Sequence, residues 1–133
     1  MLPVDVLHMM PRDLSLKHAA DVLAEAARDR GYRPVRAAIF AAAAALDPDQ
    51  YGAEADHAAA AVPAPGDAHE AILRSALAEM NAARHGTVDG ACESLKRAHR
   101  IASLTTRTAW YAALVDEVRA ALERAALLPR IED

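Results

Sequence analysis

The alanine run between Pro34 and Leu46 limits the possible folds of this chain more than any other feature of its sequence. Residues 37–45 are Ala-Ala-Ile-Phe-Ala-Ala-Ala-Ala-Ala and carry no charge. Alanine has the highest helix propensity because it loses no side-chain entropy when a helix forms. A helix with so few large side chains can approach its neighbours closely. The run therefore predicts a central helix in an all-α fold.

Alanine also limits the core, because it supplies 35 of the 71 apolar residues in this 133-residue chain. Only 36 larger apolar side chains remain, although a chain of this length can still bury a core of its own. The single cysteine, Cys92, excludes an intramolecular disulfide. The expected core contains six large residues: Leu23, Phe40, Leu77, Leu95, Trp110 and Leu114.

Helix start and stop signals recur along the whole chain and predict five or six antiparallel helices, in a compact bundle or a short array of helical hairpins. Gly31 is expected to end the first helix in the left-handed conformation, and Pro129 to end the last. Asp67 and Glu70 form a capping box. The predicted helices begin near Asp13 or Ser15, Pro34, Pro48, Asp67, Thr87 or Asp89, and Thr106; they end near Arg30, Leu46, Val62, Gly86, Ala102 and Leu128.

The segment Pro63-Ala-Pro-Gly-Asp67 interrupts the helical pattern at the middle of the chain, because two prolines and a glycine cannot continue a helix. We expect one all-α domain over residues 1–133, with possible helical halves at 12–62 and 67–128 joined by this linker. Residues 1–11 precede the first helix start signal and form a predicted apolar arm.

Two hairpins resemble tetratricopeptide repeats, in which a glycine that closes the first helix is followed at set spacing by a small and a large residue. The matching positions are Leu23, Gly31, Phe40, Ala43 and Pro48 in the first half, and Gly86, Ala91, Leu95 and Ala98 in the second. Arg36 replaces the small residue of the first unit, Ser103 replaces the terminal proline of the second, and the period is 55 residues rather than 34. The resemblance implies antiparallel helix pairs packed side by side, with a groove for a peptide.

No catalytic constellation occurs in the sequence, which predicts neither an enzyme nor a bound cofactor. The pair Glu54 and His57 has the Glu-x-x-His spacing of helical di-metal sites, but it occurs only once. A small metal-dependent enzyme around these two residues is an alternative, and His57, Asp56 and His69 could form a single-metal site across the proline linker. No nucleophile elbow, phosphate-binding glycine loop or dinucleotide fingerprint is present.

Charge is distributed unevenly, although the net charge is only −4. Residues 84–107 carry an excess of basic side chains that includes Lys96, Arg97, Arg100 and Arg107, whereas residues 47–56 carry four acids and no base. Opposite patches on one chain favour self-association, or contact between the two halves, over nucleic-acid binding. A nucleic-acid-associated regulator that uses a basic face near Arg97 is the main alternative.

The apolar arm adds Leu7, Met9 and Met10 as candidate partner-binding residues, because flexible methionines adapt to irregular surfaces. The arm lacks the basic start of a signal peptide, and no apolar run in the chain is long enough to span a membrane. We therefore expect a cytoplasmic, non-catalytic protein of bacterial or phage origin, with a role in protein–protein interaction, self-assembly or structure. Its predicted partner-binding residues are Leu7, Met9, Met10, Lys96, Arg97, Arg100 and Arg107.

Overall fold

The computed structural model of the protein describes residues 16–132, which form a bundle of six α-helices with no strand in that range. The predicted all-α class is confirmed. The N-terminal arm and the predicted helix start at Asp13 or Ser15 lie outside the described residues. The helices are α1 (Leu16–Arg28), α2 (Arg33–Leu46), α3 (Pro48–Ala60), α4 (Ala68–Ala82), α5 (Val88–Ala102) and α6 (Ala109–Glu132), and the 3-10 turn Thr106–Thr108 precedes α6.

Side-chain caps fix three of the helix starts. The Asp67 carboxylate accepts a hydrogen bond from the Glu70 amide at 2.8 Å, and the Thr87 hydroxyl accepts one from the Gly90 amide at 3.1 Å. Asp47 caps α3 in the same way, at 3.4 Å from the Gln50 amide. Each cap satisfies an amide that has no partner inside its own helix. The cap predicted at Asp67 is confirmed, and Thr87 rather than Asp89 caps α5.

Helix α2 is the centre of the bundle, as the alanine run predicts. Every residue from Ala37 to Leu46 is buried. The helix packs against α1, α3, α4 and α6. Four neighbours fit around one helix because seven of its 14 side chains are methyl groups, which allow close interaxial distances.

Four of the five consecutive helix pairs pack against each other: α1 with α2, α2 with α3, α4 with α5, and α5 with α6. One end of the bundle brings together the α1–α2 turn, the start of α4 and the α5–α6 turn. The Tyr32 hydroxyl donates a hydrogen bond to the Glu70 carboxylate there, and the Thr105 hydroxyl lies 3.2 Å from His69 Nδ1.

Two long-range contacts connect the predicted halves. The Tyr111 hydroxyl, fully buried in α6, donates a hydrogen bond of 2.9 Å to the Ala38 carbonyl in the central helix. Arg84, whose side chain is 5% exposed, forms an ion pair with Asp56 in α3. Both contacts join residues on opposite sides of the proline linker. One hydrophobic core cluster contains residues from all six helices.

Several sequence predictions are wrong in detail. Gly31 does not adopt a positive φ; within residues 16–132 only Gly86 does, at +108°. Pro129 does not end α6, which extends to Glu132. The third helix ends at Ala60 rather than Val62.

The start of the last helix also differs from the prediction. Residues 106–108 form a 3-10 turn, so the α-helix begins only at Ala109. In the resulting register Tyr111, Leu114 and Val118 point into the core, and Trp110 is half-buried at its edge. Trp110 was expected in the core, but the fully buried aromatic residue of α6 is Tyr111. The other five expected core residues are buried: Leu23, Phe40, Leu77, Leu95 and Leu114.

Candidate protein-interaction site

The two large apolar residues that the described part of the chain leaves most exposed lie at the same end of the bundle. Tyr32 is 53% exposed in the α1–α2 turn, and Leu104 is 71% exposed in the α5–α6 turn. Leu104 is next to Thr105, which contacts His69. We define the Tyr32 patch as these two residues with the side chains around them: Tyr32, Asp67, His69, Glu70, Leu104, Arg107 and Trp110.

The start of α4 holds this patch in place. Because Asp67 caps the helix, Glu70 lies in its first turn, where its Oε1 accepts a hydrogen bond of 2.7 Å from the Gly66 amide. The same carboxylate accepts a hydrogen bond from the Tyr32 hydroxyl. One glutamate thus ties together the linker, the start of α4 and the turn before α2, which fixes the ring of Tyr32.

A hollow of about 160 Å³ opens within the patch, between the Tyr32 and Trp110 side chains and the side chain of Arg107. The hydrogen bond to Glu70 raises the pKa of Tyr32, because the phenol would have to lose its proton beside a carboxylate. Tyr32 therefore remains a neutral donor near pH 7. Aromatic residues and arginine around a hollow are the residue types that contribute most to binding energy at protein interfaces.

The four basic residues predicted to bind a partner do not form one surface. Lys96 and Arg100 line a cleft between α5 and α6. Arg97 instead turns to α4, where its Nε lies 3.1 Å from a carboxylate oxygen of Glu79. Arg107 belongs to the Tyr32 patch at the end of the bundle. The predicted Leu7, Met9 and Met10 lie outside the described residues.

Most of the acidic stretch predicted as a complementary patch has partners within the chain. Asp47 is buried at the start of α3, where it caps the helix. Glu54 pairs with Arg28 in α1 at 3.2 Å, and Asp56 pairs with Arg84. The Arg84 pair is the contact between the two halves that the charge pattern allowed. Three of the four acids therefore act within the fold, and Asp49 is exposed.

The Glu-x-x-His pair is also explained by local contacts. Glu54 binds Arg28, and His57 is exposed on α3. Within residues 16–132, no group of three or more histidine, cysteine, aspartate or glutamate side chains is arranged to hold a metal ion. The third ligand candidate, His69, lies in the Tyr32 patch beside Thr105.

Cys92 is half-buried in α5. Burial raises the pKa of its thiol, and the carboxylate of Glu123 adds to the rise, while Arg119 opposes it. A thiol with a raised pKa forms little thiolate near neutral pH and is a weak nucleophile.

Sequence reasoning missed Tyr32 and Leu104 as candidate site residues. Each lies in a turn, outside the helical apolar pattern that identifies core positions. No local signal identifies either residue, because single apolar side chains on a surface are common and only their grouping in the fold is informative. Asp116 and Arg119, which complete the α5–α6 cleft, were also missed, because only the folded hairpin places them beside α5.

No helix within residues 16–132 combines the length and the apolar character that crossing a membrane requires. Comparison of the chain with protein-family models, with curated proteins and with solved structures finds no match.

Proposed function

We propose that this chain is a non-catalytic helical protein whose function is self-assembly, and that a second copy docks on the Tyr32 patch. The observation that carries the proposal is the exposure of Tyr32 and Leu104 at one end of the bundle, where Tyr32 lines a hollow together with Trp110 and Arg107. Exposed apolar side chains grouped on one surface favour contact with another protein, since burying them removes apolar area from water.

The charges of the patch favour a second copy as the partner. Arg107 lies in the same patch as Asp67 and Glu70, so the surface carries both signs. In a two-fold symmetric contact the same surface meets itself, and Arg107 of one copy can pair with an acid of the other. The patch is small, and small interfaces are typical of weak, concentration-dependent association.

Self-association is tested by sedimentation equilibrium over a range of protein concentrations. We expect the mass to rise from one chain toward two, and to stay at one chain in Leu104→Asp, whose charge would be buried in the interface. Because Leu104 is exposed in the monomer, this substitution leaves the core intact. Ala78→Asp on the exposed face of α4 is the matched control and should behave like the parent protein.

A parent protein that stays monomeric at every concentration would overturn the proposal. Association that persists in Leu104→Asp would show that the Tyr32 patch is not the docking surface. A chain that lacks residues 1–10 then tests whether the arm with Leu7, Met9 and Met10 carries the contact instead. A cytoplasmic location and a bacterial or phage origin remain predictions from the sequence.

A further inference from the structure

The cleft between α5 and α6 is a second feature, separate from the Tyr32 patch, with a volume of about 370 Å³. It lies on the outer side of the α5–α6 hairpin. Three permanently charged basic side chains, one histidine and two acids line it: Glu93, Lys96, His99, Arg100, Asp116 and Arg119. With the histidine neutral, the lining has a net charge of +1, from three bases and two acids.

Hydrogen-bond donors outnumber acceptors among these side chains. Both His99 and Arg119 face the same oxygen of Asp116. The distance from this oxygen to His99 Nδ1 is 3.0 Å, and to a guanidinium nitrogen of Arg119 it is 3.7 Å. Glu93 lies 3.3 Å from Lys96 Nζ. Each arginine carries five N–H donors, so the two carboxylates leave most of the donors of Arg119 without an acidic partner in the cleft.

Arg100 is the residue that contributes most to this excess. It is exposed, it lines the cleft, and within residues 16–132 it forms no ion pair. An arginine that faces a cleft with other cations is a binding group for an oxyanion, because its planar fork matches two oxygens at once.

The acids in the cleft do not prevent an anion from binding. Asp116 lies 3.0 Å from His99 Nδ1 and 3.7 Å from a guanidinium nitrogen of Arg119, and the arginine offsets its charge. Glu93 is 65% exposed and pairs with Lys96 one turn away on the same helix. Such exposed pairs are weak, so Glu93 can rotate into solvent and leave Lys96 to the ligand.

We propose that the α5–α6 cleft binds a phosphate monoester of a small molecule, whose phosphoryl oxygens contact Arg100, Arg119 and Lys96. A phosphate monoester carries up to two negative charges and three terminal oxygens, which matches the excess of charge and of donors. Small-molecule sites commonly measure about 300–1,000 Å³, so the cleft has room for an organic group beside the phosphate.

Isothermal titration calorimetry with O-phosphoserine and with inorganic phosphate tests the proposal, and sulfate at equal ionic strength measures generic anion binding. We expect saturable binding in which O-phosphoserine binds more tightly than inorganic phosphate, and both more tightly than sulfate. Arg100→Gln should weaken O-phosphoserine binding at least tenfold, which corresponds to about 1.4 kcal/mol, because it removes a charge-assisted hydrogen-bonding group.

Arg124→Gln is the matched control, because Arg124 is an exposed arginine of α6 that does not line the cleft. It should bind O-phosphoserine as the parent protein does. Arg100→Lys keeps the charge but loses the fork, and should restore only part of the affinity.

Three results would overturn the proposal. The first is the absence of saturable binding of either phosphate compound. The second is an equal loss of affinity in Arg100→Gln and Arg124→Gln, which would indicate a general charge effect. The third is binding of duplex DNA that depends on Arg100 while O-phosphoserine does not bind, which would assign the cleft to nucleic acid. None of these results depends on whether the protein self-associates.

Discussion

Glycine has opposite consequences at two positions of this chain. Gly52 lies inside α3, where a Cβ atom would meet only the Arg84 side chain, at 4.0 Å, which is an ordinary contact. Gly86 lies in the α4–α5 turn with φ at +108°, a conformation that residues with a side chain rarely adopt. The helical glycine is therefore dispensable for the backbone, and the turn glycine is required.

Gly52→Ala should raise the free energy of unfolding by about 0.5–1 kcal/mol, because alanine loses less backbone entropy in a helix. Gly86→Ala should lower it by about 1–2 kcal/mol, through strain at positive φ. Urea denaturation followed by circular dichroism measures both changes. If Gly52→Ala lowered stability, Arg84 would have to lie closer to α3 than 4.0 Å.

At the residue scale, sequence predicts the contacts that are local. Asp67 and Thr87 each bind an amide three residues away; the sequence identified Asp67 as a cap and narrowed the cap of α5 to Thr87 or Asp89. The partner of Arg84 lies 28 residues away, and only the folded bundle selects Asp56 from the other acids. For the same reason the sequence indicated an acidic patch at residues 47–56, whereas three of its four acids have partners within the folded chain.

Close packing around the central helix α2 limits the size of the side chains that it can carry. Ala43 is fully buried, and its neighbours on every side are other helices. Ala43→Leu adds three carbons to a site without space for them, and should destabilise the protein by about 1–3 kcal/mol through overpacking. Ala53→Leu on the exposed face of α3 is the control, expected to change stability by less than about 0.5 kcal/mol.

The same denaturation experiment decides the outcome for α2. Equal stabilities for Ala43→Leu and Ala53→Leu would mean that α2 has space around it and does not form the tightly packed centre. A change in the urea concentration at the midpoint of unfolding, with an unchanged slope of the unfolding free energy against urea, would show that the substitution changes stability rather than the surface exposed on unfolding.

Element positions followed well from the sequence, and element ends less well. Prolines, capping residues and the apolar period located all six helices, because these signals act within one or two turns. The 3-10 turn before α6 depends on the Thr108 hydroxyl, which donates to the buried Ala102 carbonyl at 2.7 Å. That contact joins the turn to the end of α5, and the α6 that follows buries Tyr111 rather than Trp110; no local sequence pattern reveals either feature.

The whole molecule depends on Tyr111, because its hydroxyl connects the last helix to the central one across 73 positions of the chain. Complete burial raises the pKa of this phenol, since the charged form would lose its hydration. In the unfolded chain the pKa of tyrosine is about 10. Below that pH both states keep the proton, and above it only the unfolded state releases it.

Tyr111 should therefore make the folded protein less stable as the pH rises above about 10, by up to about 1.4 kcal/mol per pH unit. Tyr111→Phe removes this dependence together with one buried hydrogen bond, whose net contribution is about 0.5–1.5 kcal/mol. We expect the variant to be less stable than the parent at pH 7 and to lose less stability between pH 9 and pH 11. Tyr51, whose pKa is raised by its hydrogen bond to Asp21, is present in both proteins, so its contribution cancels in the comparison. Urea denaturation at each pH gives the free energy of unfolding of the parent protein and of Tyr111→Phe as a function of pH. Parallel curves would mean that the Tyr111 phenol titrates equally in the folded and unfolded states, which would contradict the effect expected from its full burial.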